Sequence, residues 1–234
     1  MSEDFQAQRV RHVREIAEPY LQRGDAVGWF EAFYRAQAGD ETRVPWADPI
    51  GHPLLSEWLE RRGSPPDGAR RAVVVGCGLG EECQHVAAAG WRVLGFDVSP
   101  TAIDWCRRRY PSSTVDYRVA DLFALPPDWE RAFDLVVEVY TLQALLVDVR
   151  PQAAGLIASL AAPGGSVLVI TRGREPEEPA EDLPWPLVRS ELDVFPAAGL
   201  EQVRFEDLRS RRHEIGRRFR VEYRAPGAPP GSAE

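Results

Sequence analysis

Lysine is missing altogether: all 28 basic residues in the 234-residue chain are arginine. Without it there is no side-chain amine for a Schiff base and no P-loop lysine for a nucleotide phosphate, so pyridoxal enzymes and Walker-type NTPases are excluded. Cysteine is scarce, with Cys77, Cys83 and Cys106 an odd set lacking zinc-type spacing, so neither a disulfide framework nor a metal site is expected. Long apolar runs are absent too. Nothing approaches 18 residues and the first twenty are charged throughout, which predicts no membrane span, no signal peptide and a cytoplasmic protein. The net charge is −8, which argues against a nucleic-acid partner. What remains is an ordinary globular composition, 44% hydrophobic and 27% charged, in a chain long enough for one well-cored domain.

Phe5, Val10, Val13, Ala17, Tyr20 and Leu21 recur at helical spacing and predict a first amphipathic helix, stopped at Gly24-Asp25. Ala26 to Ala38 reads as a second, carrying Trp29, Phe30, Phe33 and Tyr34. Pro45, Pro49 and Pro53 make Asp40 to Pro53 a loop, and Leu54, Leu55, Trp58 and Leu59 form a short helix after it. From Arg71 short apolar runs alternate with helical segments. Strands are expected at 72–75, 93–96, 115–119, 135–139 and 167–170, with helices at 80–89, 100–109 and about 150–161. Such strands, spaced by helices, predict an α/β fold with a parallel sheet covered on both faces. Val203 to Glu206 and Phe219 to Tyr223 alternate apolar and polar residues, as a closing antiparallel pair would. The expected organisation is one functional unit: helices and a lid loop over 1–68, a core over 69–225, and a disordered tail over 226–234.

The first strand runs into Gly76-Cys77-Gly78-Leu79-Gly80-Glu81. Glycines between a parallel strand and a helix let a ligand approach bare backbone at the helix N-terminus. The dinucleotide fingerprint G-x-G-x-x-G would need glycine where Glu81 stands, and Glu81 with Glu82 would repel a pyrophosphate. A ligand bearing a sulfonium and an amino group suits those acids better. Asp97 ends the second strand about twenty residues on, where an acid accepts ribose hydroxyls. Asp121 follows the third strand, within reach of an adenine amino group. Glu138 interrupts the apolar fourth strand, and the cost of burying a lone carboxylate predicts that it faces a cleft at the sheet's carboxyl edge. Each acid alone is a common loop cap; four features in register at successive strand ends point to a nucleoside ligand.

These residues resemble the class I S-adenosylmethionine-dependent methyltransferases, and within them the thiopurine and tellurite-resistance methyltransferase-like branch. The likeness is carried by Trp29-Phe30-Glu31-Ala32-Phe33-Tyr34, Val44-Pro45-Trp46-Ala47-Asp48-Pro49, Val75 to Gly80, Gly95 to Ala102, Ala132 to Leu135 and Leu160 to Gly165. Departures are Ala47 in place of the branch's loop aspartate, Phe33 in place of a second helix tryptophan, and Glu138 in place of the fourth-strand aspartate. The resemblance implies a Rossmann-like, seven-stranded, mostly parallel sheet with an antiparallel C-terminal pair and an N-terminal helical lid. It implies S-adenosyl-L-methionine as cofactor. Gly76, Gly78 and Gly80 would meet its methionine portion, Asp97 the ribose, and Asp121 and Leu122 the adenine, with Cys77 and Val98 also among the cofactor-binding residues. Trp29, Phe33 and Trp46 would form an aromatic lid over the sulfonium.

The implied reaction is in-line methyl transfer to S or N of a small molecule, with no metal, no nucleic acid, no membrane and a monomer or homodimer. Glu138, Tyr140, His52 and Arg172, with Asp48 beside them, are the acceptor-side candidates, Glu138 serving either acceptor or cofactor. Arg174 near the sheet edge and the run Arg209 to His213 read as solvated loop charge. Two alternatives stay open: a non-catalytic S-adenosylmethionine-binding protein, and a nicotinamide-dependent oxidoreductase, which the glycine spacing disfavours.

Overall fold

The computed structural model describes residues 3–47, 51–65, 70–179, 183–209 and 216–227. Helix α1 (Glu3–Gln22) buries Val13 and Ala17 and ends where Gly24, at φ +78°, turns the chain back. The Asp25 carboxylate then accepts the Gly28 N–H at 2.7 Å, so helix α2 (Gly28–Ala36) begins two residues later than its hydrophobic pattern suggested. Helix α3 (Pro53–Arg62) follows the proline loop, of which Asp48 lies outside the described residues. Strand β1 (Arg71–Val75), helix α4 (Glu81–Ala88), β2 (Arg92–Asp97), α5 (Pro100–Arg109) and β3 (Asp116–Val119) form one half of the sheet. Strand β4 (Phe133–Val139), helix α6 (Arg150–Ser159), β5 (Ala161–Arg172), the short helix α7 (Val194–Ala197), β6 (Glu201–Leu208) and β7 (Arg218–Arg224) complete it.

The seven strands lie in the order β3-β2-β1-β4-β5-β7-β6, parallel through β5 and antiparallel for β7 and β6. Alternate residues of the central strands feed two cores. Val73, Val75, Leu94, Phe96, Val136 and Val167 pack on one face, and Ala72, Val74, Val93, Leu135, Val137 and Leu168 on the other. A third core joins Val13, Ala17, Trp29, Phe33 and Tyr34 of the N-terminal helices to Ala102 and Trp105 of α5.

Three differences from the sequence reading have physical causes. β5 starts six residues earlier than its apolar run, because Pro163-Gly164-Gly165, which reads as a turn, is carried in the strand through a register shift against β4. The Gly164 N–H reaches the Pro226 carbonyl at 3.0 Å, so the start of the expected tail is tied down; 228–234 lie outside the described residues, as do the 68/69 boundary and Arg211 to His213. The polar row of β7 is covered rather than exposed. Arg220 is 2% exposed, donating to Glu206 at 2.6 Å, to Glu57 at 3.2 Å and to the Leu54 carbonyl at 2.7 Å, while Trp58 and Arg62 of α3 donate to Glu222.

Candidate active site

The strand order reverses between β1 and β4, the place where open α/β sheets leave a crevice at their carboxyl ends. A cavity of about 1090 Å³ opens there. One end is built by β1, β2 and β3. Gly76 (φ +58°) and Gly78 (φ +53°) shape the turn after β1, and both line the cavity. Asp97 ties that turn to β2: Oδ2 accepts the Gly78 N–H at 3.0 Å and Oδ1 the Ser99 N–H at 2.9 Å. Burial pushes its pKa up to about 6, against the pull of those two N–H groups. Cys77, Val98, Asp121 and Leu122 line the same end. The Asp121 Oδ1 accepts the Phe123 N–H at 2.9 Å, so this acid also caps the turn after β3.

Gly80 stands elsewhere. It lies outside the cavity wall, and a Cβ there would sit 2.6 Å from the Tyr117 hydroxyl and 3.1 Å from Cys106 Sγ, so its lack of a side chain serves packing behind the turn. Glu81 is paired with Arg109 at 2.6 Å, and both Glu81 and Glu82 line the cavity. Cys77, Cys83 and Cys106 are buried free thiols, and burial raises the pKa of Cys77 and Cys83. No cluster of metal-ligating side chains occurs among the described residues.

Aromatic rings roof the cavity. The Trp46 Nε1–H donates to the Tyr34 hydroxyl at 2.8 Å, and Trp46 meets Trp29 edge-on at 6.5 Å between ring centres. Phe30 and Tyr34 line the cavity, one helical turn apart, whereas Phe33 is fully buried against the helix core and does not. The Trp29 Nε1–H is buried without a partner among the described residues. A functional residue that motif reading missed is Glu31, which accepts from Ser99 Oγ (2.6 Å), Thr101 N (3.1 Å) and Thr101 Oγ1 (2.8 Å), pinning α2 to the loop after β2. An acid inside an aromatic helix was its one sequence signal.

Glu138 does not face the cleft. It is fully buried outside the cavity wall, its Oε1 accepting the Thr141 N–H (2.6 Å) and the Leu142 N–H (3.0 Å), with Oε2 unpartnered among the described residues. The cause lies two residues on. Tyr140 takes φ +65°, so the chain reverses at the end of β4 and folds its own amides back onto the carboxylate. Burial pushes the Glu138 pKa up to about 7.

Tyr140, His52 and Arg172 are brought together at the other end of the cavity, joined by Arg218. The His52 Nε2 lies 2.7 Å from the Tyr140 hydroxyl, and the Arg218 Nε–H donates to the same oxygen. His52 caps α3 by accepting the Leu54 N–H on Nδ1 at 3.2 Å, which leaves the proton on Nε2. Burial, with Arg218 and Arg220 nearby, pushes its pKa down to about 4, so the ring is neutral at physiological pH and works as a donor. Sequence reading passed over Arg218, whose place comes from β5–β7 pairing that sets it directly opposite Arg172.

This arrangement, an acid-locked glycine turn at the switch point with a roofed cavity beside it, is that of an open α/β sheet that takes its ligand at the carboxyl ends of the strands. Residues 72–165 match the model of a methyltransferase domain. The chain is 27% identical over 163 residues to probable thiol methyltransferase 2 of Arabidopsis thaliana, covering 67% of this chain and 66% of that protein. It is 34% identical over 144 residues to a ubiquinone biosynthesis O-methyltransferase of Methylococcus capsulatus, covering 55% of this chain and 57% of that protein. The chain thus spans between about half and two thirds of these curated relatives. The fold is shared with Burkholderia thailandensis 1,6-didemethyltoxoflavin-N1-methyltransferase, solved with bound 1,6-didemethyltoxoflavin and S-adenosylhomocysteine: TM-score 0.66, 17% identity, covering 84% of this chain and 87% of that one.

The residues present fit the cofactor. Asp97 and Asp121 keep acceptor capacity at the end that a nucleoside would fill, two glycines expose backbone to it, and the orphaned Trp29 N–H awaits a polar ligand group.

Proposed function

We propose that the protein transfers a methyl group from S-adenosylmethionine to a sulfur or nitrogen atom of a small molecule. The observation that carries this reading is the two-ended cavity. Its volume, at the upper limit for small-molecule sites, leaves space for a nucleoside and a small acceptor. When bound, S-adenosylmethionine supplies a methyl carbon already activated by a sulfonium, so the protein's work is alignment and exclusion of water. Gly76 and Gly78 present backbone to the methionine portion, Asp97 takes the ribose, and Asp121 with Leu122 the adenine. The rings of Trp29 and Trp46 offer π-faces to the cation. Residues 1–68 serve as the roof of a core spanning 69–225, the two acting as one unit. Tyr140, His52, Arg172 and Arg218 receive the acceptor. A sulfur or nitrogen acceptor agrees with the thiol and toxoflavin N1 specificities in the names of two similar proteins.

Calorimetric titration with S-adenosylmethionine, S-adenosylhomocysteine and NAD, followed by turnover with thiols, heteroaromatic amines and phenols, tests the proposal. Binding of both sulfur nucleosides and methylation of a thiol or ring nitrogen are expected. Tighter binding of NAD, or methylation of phenols alone, would overturn it.

A further inference from the structure

Arg172 of β5 and Arg218 of β7 face each other in register across adjacent strands, and both line the cavity. Like charges directly opposed on neighbouring strands destabilise a sheet. Here the pair stands on the cavity wall beside Tyr140.

The hydrogen bonds around Tyr140 point the same way. Its oxygen receives two donors, His52 Nε2–H at 2.7 Å and Arg218 Nε–H. A phenol oxygen so engaged has spent its lone pairs, and its own O–H has no acceptor among the described residues. Arg218 gives Nη1 to the Arg217 carbonyl at 3.1 Å and keeps Nη2 without a partner among them. Tyr140 is also held in left-handed backbone, with its N–H on the Ile170 carbonyl at 3.0 Å. A bulky side chain adopts that conformation at a cost, and such strain persists where it aims a group at a ligand.

We infer that the acceptor binds as a monoanion, its negative group taking the Tyr140 O–H and the Arg218 guanidinium. This rests on the methyltransferase reading and adds the class of acceptor to it: a small organic acid, charged either at the atom that reacts or at a carboxylate elsewhere. Tyr140 and Arg218 are then specificity-determining residues.

The test is a binding measurement on protein saturated with S-adenosylhomocysteine, using ligand-observed NMR or calorimetry. Benzoate is compared with benzamide, and benzenethiolate at pH 8 with benzyl alcohol. At least one anion is expected to bind about tenfold or more tightly than its neutral partner, the scale of a charge-assisted hydrogen bond. Preference for benzoate places the charge on a remote carboxylate; preference for benzenethiolate places it on the reacting sulfur. In Tyr140→Phe and Arg218→Gln the preference should fall to about twofold or less while S-adenosylhomocysteine still binds, a check that the variants are folded. Equal binding of anion and neutral partner in the unaltered protein would overturn the inference without recourse to either variant. Failure of the methyltransferase reading shows separately, as absence of S-adenosylhomocysteine binding.

Discussion

The two ends of the cavity are built on different principles. At the proposed nucleoside end the groups lie between Gly76 and Leu122, at the ends of β1, β2 and β3, and the turn is held by backbone N–H groups on Asp97. At the proposed acceptor end His52, Tyr140, Arg172 and Arg218 come from the N-cap of α3, the turn after β4, strand β5 and strand β7, and their contacts run between side chains. A ligand common to many enzymes can be held by backbone whose geometry few substitutions disturb. A ligand particular to one enzyme is recognised by side chains, which change one at a time.

The contrast can be broken by removing the group each end depends on. The largest effect is expected for Asp97→Ala, which strips both the proposed ribose acceptor and the partner of two buried N–H groups. Calorimetry should show S-adenosylhomocysteine affinity lower by about 3 kcal/mol, on the scale of hydrogen bonds to a charged group. Because that carboxylate has its pKa pushed up to about 6 and accepts most strongly, at both oxygens, when ionised, wild-type affinity should also fall as pH drops from 7.5 to 5.

Gly80→Ala tests the packing behind the turn. At φ +89°, with the new Cβ 2.6 Å from the Tyr117 hydroxyl, the loss of unfolding free energy in urea should be about 2 kcal/mol or more. The acceptor end should reveal itself through pH. His52 holds a folded-state pKa near 4 against 6.5 ordinarily, so the unfolded chain takes up the proton first and stability is lost as pH falls from 6.5 towards 4. In urea titrations, the wild-type loss between pH 7.5 and 5 should exceed that of His52→Gln by about 2 kcal/mol. The smallest effect sharpens the comparison: Tyr140→Phe should leave S-adenosylhomocysteine affinity within about twofold by calorimetry, since the phenol belongs to the other end. A larger loss would mean that the two ends share their residues.

The difference between the ends also governs what could be read from residue order. The glycine turn and Asp97 were legible because β1, α4 and β2 are neighbours in sequence and the spacing encodes the geometry. Glu138 was misplaced because its orientation depends on the left-handed turn at Tyr140, a conformation no local pattern announces for tyrosine. Arg218 was passed over because only the long-range pairing of β7 with β5 sets it beside Arg172. The aromatic helix was half legible. Its periodicity reveals two faces, and only packing on Val13 and Ala17 decides that Phe33 looks inward while Phe30 and Tyr34 look at the cavity. The seven strands themselves were found, with errors confined to their ends, where Pro163 to Gly165 reads as a turn.

The helix that carries His52 is registered to β7 by charge rather than by grease. Leu54, Glu57, Trp58 and Arg62 of α3 meet Arg220 and Glu222 through directional bonds, two and four residues along from Arg218. Apolar surfaces slide past one another cheaply; a row of paired guanidinium and carboxylate groups does not. That row therefore acts as a gauge block, fixing the gap between His52 and Arg218 from outside the pocket. A lineage of such proteins could recalibrate what it accepts by exchanging arginine–glutamate pairs on this flank, leaving every residue that touches the substrate as it was.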